Sequence, residues 1–310
     1  MLGWTYQSEA KVIKLITAAD LPHIPALINN SSQGYSFAFH LDLMSYLGLS
    51  SYWDLSYQHS YIAYSKDRPA GVLLSTVSPG TQDCYSFYWG VLPEFRGGPL
   101  ALRMVIAFLS QVASEGFVNS HADICPDSPR SLYYRLGYRE VADVLYLEAG
   151  DQTACHRDNL QNEAMETLTV NQFVAEIHKF KDSFSCWGEQ PVALRKAARS
   201  LKFVKYRGVY AGFIQQAEAI RIMSFHFEPS NRDSAAELIL QLRTRPFGPS
   251  LHFCHVRPAT PLHSLLVDLK FTATKRSTAL HLDLRAWAES RRSSKSHTHP
   301  AHSSLKLTAC

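Results

Sequence analysis

The stretch YWGVLPEFRGGPLALRMV, Tyr88–Val105, decides the fold, because it joins an apolar strand to a long amphipathic helix through the loop Arg-Gly-Gly-Pro. The first N–H groups of a helix have no partner within it and carry a partial positive charge. Glycines before the helix let the backbone approach a ligand closely, and an arginine adds a fixed cation. The stretch therefore suits a diphosphate, although an ordinary strand-to-helix turn with a solvated arginine has the same composition.

The residues on either side of this stretch predict a mixed unit of strands and helices. KVIKLI predicts a first strand, and YIAYS, AGVLLSTV and CYSFYWGVL predict three more, of which the first two form a hairpin. After the long helix, HADIC predicts a strand, and DSPRSLYYRLGY predicts a short helix that stops at Gly137. REVADVLYLEA then closes the unit as a strand or hairpin.

The second half of the chain repeats this order of elements, which indicates an internal duplication. KFVKYRGVYAGFIQQA predicts a hairpin, and AIRIMSFHFEPSNRDSAAELILQL predicts a strand that runs into a helix. The positions that match at one constant spacing are Pro93 with Pro229, Arg96 with Arg232, and Leu102 with Leu238. We therefore predict a first domain over residues 1–149, a polar linker over 150–167 and a second domain over 168–284.

Composition limits the classes of protein to which the chain can belong. With 310 residues, of which 46% are hydrophobic, it can form two domains with proper cores, and its net charge of +4 suits an anionic ligand without requiring nucleic acid. The six cysteines are scattered without a C-x-x-C pair, so a reduced, cytoplasmic protein is expected. No apolar run is long enough to span a membrane. Residues 285–310 are rich in Ser, His and basic side chains, which predicts a flexible tail.

Two motifs, in this order, resemble those of the GNAT superfamily of acyl-CoA-dependent N-acyltransferases. VLPEFRGGPLA, Val91–Ala101, is similar to the family's phosphate loop, Arg/Gln-x-x-Gly-x-Gly/Ala after a strand ending in Val-x-Pro. LYYRLGY, Leu132–Tyr138, is similar to the family's later motif Leu-Tyr-x-x-Leu-Gly-Phe. The resemblance covers roughly residues 12–149 and, more faintly, 165–284. It implies an α/β (α+β) chain of two GNAT-like domains, each a mixed, mostly antiparallel sheet flanked by helices.

The resemblance also implies how acetyl-CoA, as cosubstrate, would be held. The residues expected to cradle the diphosphate, mostly through backbone N–H groups, are Arg96, Gly97, Gly98, Leu100 and Ala101. Val91 would pair its backbone with the pantetheine arm, in a slot where its strand splays from the HADIC strand. One departure weakens this expectation: Pro99 stands where the family has its middle glycine, and proline has no N–H to offer.

The family's reaction requires an acid for the leaving thiolate and a base for the attacking amine. Tyr133 occupies the family's general-acid position. A phenol suits this role because its pKa lies slightly above that of a thiol. The alternative for Tyr133 is a half-buried aromatic residue on an amphipathic helix, as expected for its neighbour Tyr134. A backbone N–H near Val91 or Leu92 would stabilise the oxyanion. The candidate bases, none distinguished by sequence, are Tyr88, Glu94 and His40.

The second half has lost the features that the chemistry needs. Arg232 is kept, but Asp233 and Ser234 replace the glycines, and a carboxylate there would repel a diphosphate. Leu266 stands at the tyrosine position. We therefore expect a degenerate second domain that shapes the acceptor pocket. No metal site is predicted, because in HFCH, His252–His255, His252 and Cys254 would face one side of a strand and His255 the other.

Three functions remain open at the level of sequence. The first is an N-acetyltransferase that modifies a primary amine of a small molecule or a protein. The second is a non-catalytic module of the same fold that binds acyl-CoA or a partner protein. The third, aminoacyl transfer from charged tRNA, needs a broad basic face, whereas concentrated basic residues occur only in the tail, so nucleic acid is not expected as a partner.

Overall fold

The computed structural model describes residues 11–149, 164–183, 187–215, 219–243 and 250–296. Within the first half, the strands are β1 (Lys11–Leu15), β2 (Tyr61–Ser65), β3 (Arg68–Ser78), β4 (Asp83–Val91), β5 (Asn119–Ile124) and β6 (Arg139–Ala149). The helices of this half are α1 (Ile24–Ser31), α2 (Leu43–Trp53), α3 (Leu100–Ser114) and α4 (Arg130–Leu136).

The second half repeats this succession of strands and helices from its first strand onward and adds one helix at its end. Its strands are β7 (Glu166–Leu168), β8 (Lys202–Tyr206), β9 (Val209–Gln215), β10 (Ala219–His226), β11 (Ser250–Val256) and β12 (Phe271–Asp283). Its helices are α5 (Val170–Ile177), α6 (Pro191–Lys196), α7 (Arg232–Arg243), α8 (Pro261–Asp268) and α9 (Leu284–Ser296). The mixed sheet with flanking helices confirms the predicted fold class.

All of these strands form one continuous sheet, in the order β1-β2-β3-β4-β5-β12-β6-β11-β10-β9-β8-β7. Most neighbours are antiparallel, and parallel pairs join β4 to β5 and β10 to β11. The last strand of each half therefore lies beside the other half: β12 pairs with β5, and β6 pairs with β11. The two strands also pair with each other at the centre of the sheet.

The hydrophobic cores explain this exchange of strands. Leu280 and Leu282 of β12 are buried in the first core, beside Leu100 and Phe108 of α3. Leu147 of β6 is buried in the second core, among residues of the second half. Because alternate side chains of a strand share one face, each exchanged strand adds a row of apolar side chains to a core that is not its own. The two halves are thus joined through their interiors as well as through the backbone.

The C-terminal segment differs from the prediction of a tail beginning at residue 285. Residues Leu284–Ser296 form α9, and Leu284 and Trp287 are buried in the first core, on the side of α3. Two apolar side chains three positions apart lie on one helical face, and this spacing outweighs the polar composition around them. The remainder of the predicted tail, 297–310, lies outside the described residues.

Two residues at corresponding places of the two halves share a left-handed backbone conformation. Gly137 ends α4 with a φ of +95°, and Lys270 follows α8 with a φ of +63° at the corresponding place. Both are left-handed, as expected after a helix, although glycine adopts this conformation at less cost than lysine. The predicted linker lies outside the described residues from 150 to 163, and its last residues begin β7.

In the part of the chain that the structure describes, no helix is long and apolar enough to cross a membrane.

Candidate functional site

The parallel strands β4 and β5 separate at their carboxyl ends. They are paired from Asp83 opposite Asn119 to Ser86 opposite Ala122, and the described residues beyond show no further pairing between them. A cavity of about 1330 Å³ lies at this split, lined by both strand ends and by the loop before α3. This is the slot that the sequence analysis expects beside Val91.

The loop before α3 offers a row of free backbone donors. Helix α3 begins at Leu100 with Pro99 as its N-cap residue, and Pro99 supplies no side-chain cap. The N–H groups without a hydrogen-bond partner among the described residues are those of Gly97, Gly98, Leu100, Ala101 and Leu102. Gly97 has a φ of +75°, in the left-handed region that favours glycine. The start of α3 therefore presents its positive end to the cavity.

Arg96 has a different environment from the rest of this loop. Its Nη2 donates to the carbonyl oxygens of Ser31 and Gln33, at 3.2 and 2.9 Å, and its guanidinium lies 4.8 Å from the ring centre of Tyr35. Its backbone N–H donates to the carbonyl oxygen of Pro93 at 3.1 Å. Arg96 thus fixes the loop against the end of α1, and only its remaining guanidinium donors are available to an anion.

The backbone of β4 presents one of the two predicted oxyanion donors to the split. The N–H of Leu92 donates to the carbonyl oxygen of Ala70 at 2.9 Å, so the expectation for Leu92 was wrong. Successive N–H groups of a strand point to opposite edges, which directs the N–H of Val91 away from β3 and toward the split. Val91 itself is paired with Gly71 in the ladder that holds β4 in place.

Tyr133 lies on α4 and lines the cavity. Its ring packs edge-on against Trp89 and Tyr138, with ring centres 5.1 and 5.8 Å away. Its hydroxyl makes no hydrogen bond with a described residue, and burial raises the pKa of this phenol well above its usual range. Tyr134, by contrast, is exposed and donates its hydroxyl to the carboxylate of Glu140.

No protein-family model matches the sequence, and no curated protein sequence matches it. Solved structures are similar in three dimensions. A GCN5-related N-acetyltransferase from Sphaerobacter thermophilus has a TM-score of 0.63 at 14% identity, covering 88% of this chain and 96% of its own. A candidate acetyltransferase from Pyrococcus horikoshii has a TM-score of 0.65 at 12% identity, covering 91% and 92%.

A third similar structure is a tandem GNAT protein from the clavulanic acid biosynthesis pathway. Its TM-score is 0.61 at 10% identity, covering 89% of this chain and 99% of its own. The chain has a tandem GNAT fold. At these identities the likeness establishes the arrangement of the chain, and the chemistry depends on the residues of the cavity.

None of the three candidate bases places an unpaired basic group in the GNAT cavity. Tyr88 lines it, but its hydroxyl donates to the Ile28 carbonyl oxygen at 3.2 Å and lies 2.8 Å from Ser31 Oγ, and burial raises its pKa to about 12. Glu94 is exposed, 3.5 Å from Arg68. His40 is also exposed and does not belong to the cavity wall.

Asp123, which the sequence analysis missed, is the carboxylate that the GNAT split does contain. It lies on β5 directly after the last paired position, and its Oδ2 accepts a hydrogen bond from the Tyr85 hydroxyl at 3.0 Å. Its Oδ1 is buried without a partner. Burial raises the pKa of Asp123 to about 6, against the opposing effects of the Tyr85 hydrogen bond and the His121 charge. The sequence signal that could have identified Asp123 was that it is the only acidic residue of HADIC and lies near the end of its strand.

The second half of the tandem GNAT fold forms the far wall of the same cavity, as the sequence analysis expects. The residues it contributes are Ser200, Ile214, Arg221, Met223, Cys254, His255 and Ser277. The guanidinium of Arg221 makes no hydrogen bond or ion pair with a described residue. The cavity is therefore shared by both halves and holds groups of both charges.

A bulge in β11 changes the expected directions of the HFCH residues. The register shifts between Phe253 and Val256, and His255 has a φ of +62°. Cys254 and His255 therefore both line the cavity instead of facing opposite sides. Burial lowers the pKa of His255 to about 4, so its imidazole is neutral near pH 7. Among the described residues, no three metal-binding side chains lie together.

In the second half, the arginine that corresponds to Arg96 is already paired within the protein. Arg232, at the start of α7, pairs with the carboxylate of Asp268 and donates to the carbonyl oxygen of Pro261 at 3.4 Å. Asp233 lies in the first turn of the helix, where a diphosphate would otherwise meet positive charge. Leu266, at the tyrosine position, is completely buried.

Proposed function

We propose that the protein is an acyl-CoA-dependent N-acyltransferase that uses acetyl-CoA, with an active first half and an inactive second half. The observation that carries the proposal is that one cavity joins three features: the free N–H groups at the start of α3, the unpaired edge of β4, and the Tyr133 hydroxyl. Similar structures include proteins described as N-acetyltransferases, which supports acyl transfer in general.

The residues present fit the cosubstrate. The N–H groups of Gly97, Gly98, Leu100 and Ala101 would bind the diphosphate, assisted by the free donors of Arg96. The N–H of Val91 faces the split and would bind the pantetheine arm or the thioester oxygen. When bound, acetyl-CoA supplies a thioester whose carbonyl carbon an amine attacks and whose sulfur leaves as a thiolate.

Tyr133 has the properties of a proton donor in this cavity. Burial raises the pKa of the phenol, so it keeps its proton at neutral pH, and the same burial would raise the pKa of the leaving thiol toward it. Because the hydroxyl has no partner among the described residues, it is free to donate to a leaving group. Its position is fixed by Trp89 and Tyr138, so the hydroxyl needs little reorganisation. We assign Tyr133 as the general acid.

Thermal unfolding with coenzyme A and acetyl-CoA tests the binding part of the proposal. We expect both to raise the melting temperature at about 1 mM, because a ligand that binds only the folded state stabilises it. Coenzyme A release with a panel of primary amines then tests turnover. Absence of stabilisation by either ligand would rule out an acyl-CoA site.

The variant Tyr133→Phe tests the acid role. A general acid commonly contributes about 10²-fold to 10⁴-fold, so kcat should fall by at least about tenfold while coenzyme A binding is unchanged. Tyr134→Phe is the matched control, since Tyr134 is exposed and lies outside the cavity wall. Stabilisation by coenzyme A without turnover of any amine, in wild type and variant alike, would instead favour the non-catalytic module.

A further inference from the structure

Outside the loop before α3, three charged side chains line the cavity without an ion pair to a described residue, Asp123, Arg135 and Arg221, and two of them lie on strands of different halves. One is Asp123, whose Oδ1 is buried without a hydrogen-bond partner. The other is Arg221, whose guanidinium has no hydrogen bond or ion pair with a described residue. A carboxylate oxygen held away from bulk water is unfavourable unless it is paired, so Asp123 calls for a cation on a ligand. Arg221 is exposed at the cavity wall and can pair with an anion without first giving up a partner.

Aromatic side chains connect the two charges. The Tyr85 hydroxyl donates to Asp123 Oδ2 at 3.0 Å, and the Tyr85 ring centre lies 6.0 Å from that of Trp53. Trp53 in turn packs edge-on against Tyr52 at 5.1 Å. Tyr52 packs against a hydrophobic cluster of the second half that Ile214 also contacts, and Ile214 lies opposite Arg221, so Arg221 lies at the Tyr52 end of the row. We call Tyr52, Trp53 and Tyr85 the ring wall.

The two ends of the ring wall belong to different halves. Asp123 lies at the end of β5, next to the split in which the thioester would be held. Arg221 lies on β10, opposite Ile214 of β9, and both side chains face the cavity. An acceptor that reaches both charges therefore crosses from the first half to the second, with its reactive end at Asp123.

We propose that the acceptor is a primary amine that also carries a carboxylate, separated from the nitrogen by an apolar or aromatic body. Asp123 binds the ammonium group, the ring wall packs against the body, and Arg221 binds the carboxylate. Arginine matches a carboxylate with two parallel hydrogen bonds, and aromatic faces accept apolar groups of many shapes. This assignment rests on the proposed acyl transfer, whose acceptor it specifies.

The same contact prepares the nitrogen for reaction. The Asp123 carboxylate takes one proton from the ammonium group, which leaves a lone pair on nitrogen and a neutral acid on Asp123. Nitrogen loses its second proton as the amide forms, and this proton restores the Tyr133 phenol after its own has gone to the thiolate. Asp123 releases the first proton to solvent after the product leaves, so the carboxylate is restored for the next acceptor. Its raised pKa, about 6, keeps it ionised at neutral pH yet basic enough to share the proton.

The experiment compares three amines that differ at the far end: ε-aminocaproate, n-hexylamine and hexamethylenediamine. Binding is measured by thermal shift in the presence of saturating coenzyme A, and turnover by coenzyme A release from acetyl-CoA. We expect wild type to prefer ε-aminocaproate over n-hexylamine by about tenfold or more, as one charge-assisted contact would give. Arg221→Met should remove this preference and leave n-hexylamine within about twofold.

Reversing the charge at position 221 separates an electrostatic effect on amine preference from an effect of lost packing. Arg221→Glu should shift the preference from ε-aminocaproate to hexamethylenediamine. Asp123→Asn should weaken all three amines, because it acts on their common ammonium end. Arg139→Met is the matched control, since Arg139 is exposed and outside the cavity wall, and it should change nothing.

Two outcomes separate this inference from the proposed function. Equal binding of ε-aminocaproate and n-hexylamine, or equal losses for both in Arg221→Met, would overturn the inference even if acetyl transfer occurs. Binding that prefers the carboxylate, without turnover of any amine, would leave the ligand class standing and count against the transferase. Acetylation of the lysine side chains of a protein substrate at a higher rate than any of the three amines would also overturn the inference.

Discussion

Pro99 is the single residue at which the loop before α3 departs most clearly from the GNAT pattern. It lies between Gly98 and Leu100, whose N–H groups are free, and it supplies none of its own. An additional N–H at this point would face the same anion as its neighbours. A hydrogen bond to a charged group commonly contributes about 1.5–3 kcal/mol.

We expect Pro99→Ala to bind coenzyme A about tenfold more tightly, and calorimetry of coenzyme A binding measures this. The same change should lower the free energy of unfolding by about 0.4–1 kcal/mol, because the unfolded chain gains freedom. Pro93→Ala is the control, since Pro93 lies before the loop in a separate turn. Unchanged affinity in Pro99→Ala would show that this backbone position does not face the diphosphate.

At the scale of elements, α9 is an integral part of the first half although it belongs to the second by sequence. Trp287 is 7% exposed and Leu284 is fully buried, and both contribute to the core that includes α3. Since α3 carries the free N–H groups at its start, the packing of α9 along it supports the candidate site.

We expect Trp287→Ala to lower the free energy of unfolding by about 3 kcal/mol, as removal of a buried aromatic residue commonly does. Urea unfolding followed by fluorescence measures the loss. Arg292→Ala, on the exposed part of the same helix, should remain within about 0.5 kcal/mol of wild type. Similar values for both variants would mean that α9 does not dock in solution as described.

The exchange of β6 and β12 determines how the whole molecule folds. Removing the second half from the first would take β12 from between β5 and β6, and Leu280 and Leu282 from the first core. It would leave two long unpaired strand edges, which invite aggregation. The halves should therefore unfold together in one transition, although sequence and duplication suggest two independent domains.

We expect residues 1–149 produced alone to be insoluble or to lack a cooperative urea transition. Co-production with residues 150–310 should restore solubility and coenzyme A binding. As a control, a protease site placed within 150–163 should be cleavable without separating the halves in gel filtration, because their strands remain interleaved. Two stable, separable halves with their own transitions would contradict the continuous sheet.

The sequence was sufficient for the local features of this protein. The strand, the Arg-Gly-Gly-Pro loop and the helix from Tyr88 to Val105 follow from hydrophobic spacing and backbone chemistry, which depend on neighbours in the chain. The resemblance to the GNAT motifs singled out Tyr133 as the candidate acid, and it marked Asp233 and Leu266 as the eroded equivalents in the second half. These are properties that a short segment carries with it wherever it is placed.

Only the tertiary structure decided which distant segments meet. The exchange of β6 with β12, the docking of Trp287, and the bulge that turns His255 into the cavity depend on contacts between residues far apart in the chain. Asp123 and Arg221 gain their significance in the same way, since neither is unusual until the fold places them in one cavity with Asp123 Oδ1 and the Arg221 guanidinium unpaired. Burial and pairing are properties of the packed molecule, and no spacing within a segment encodes them.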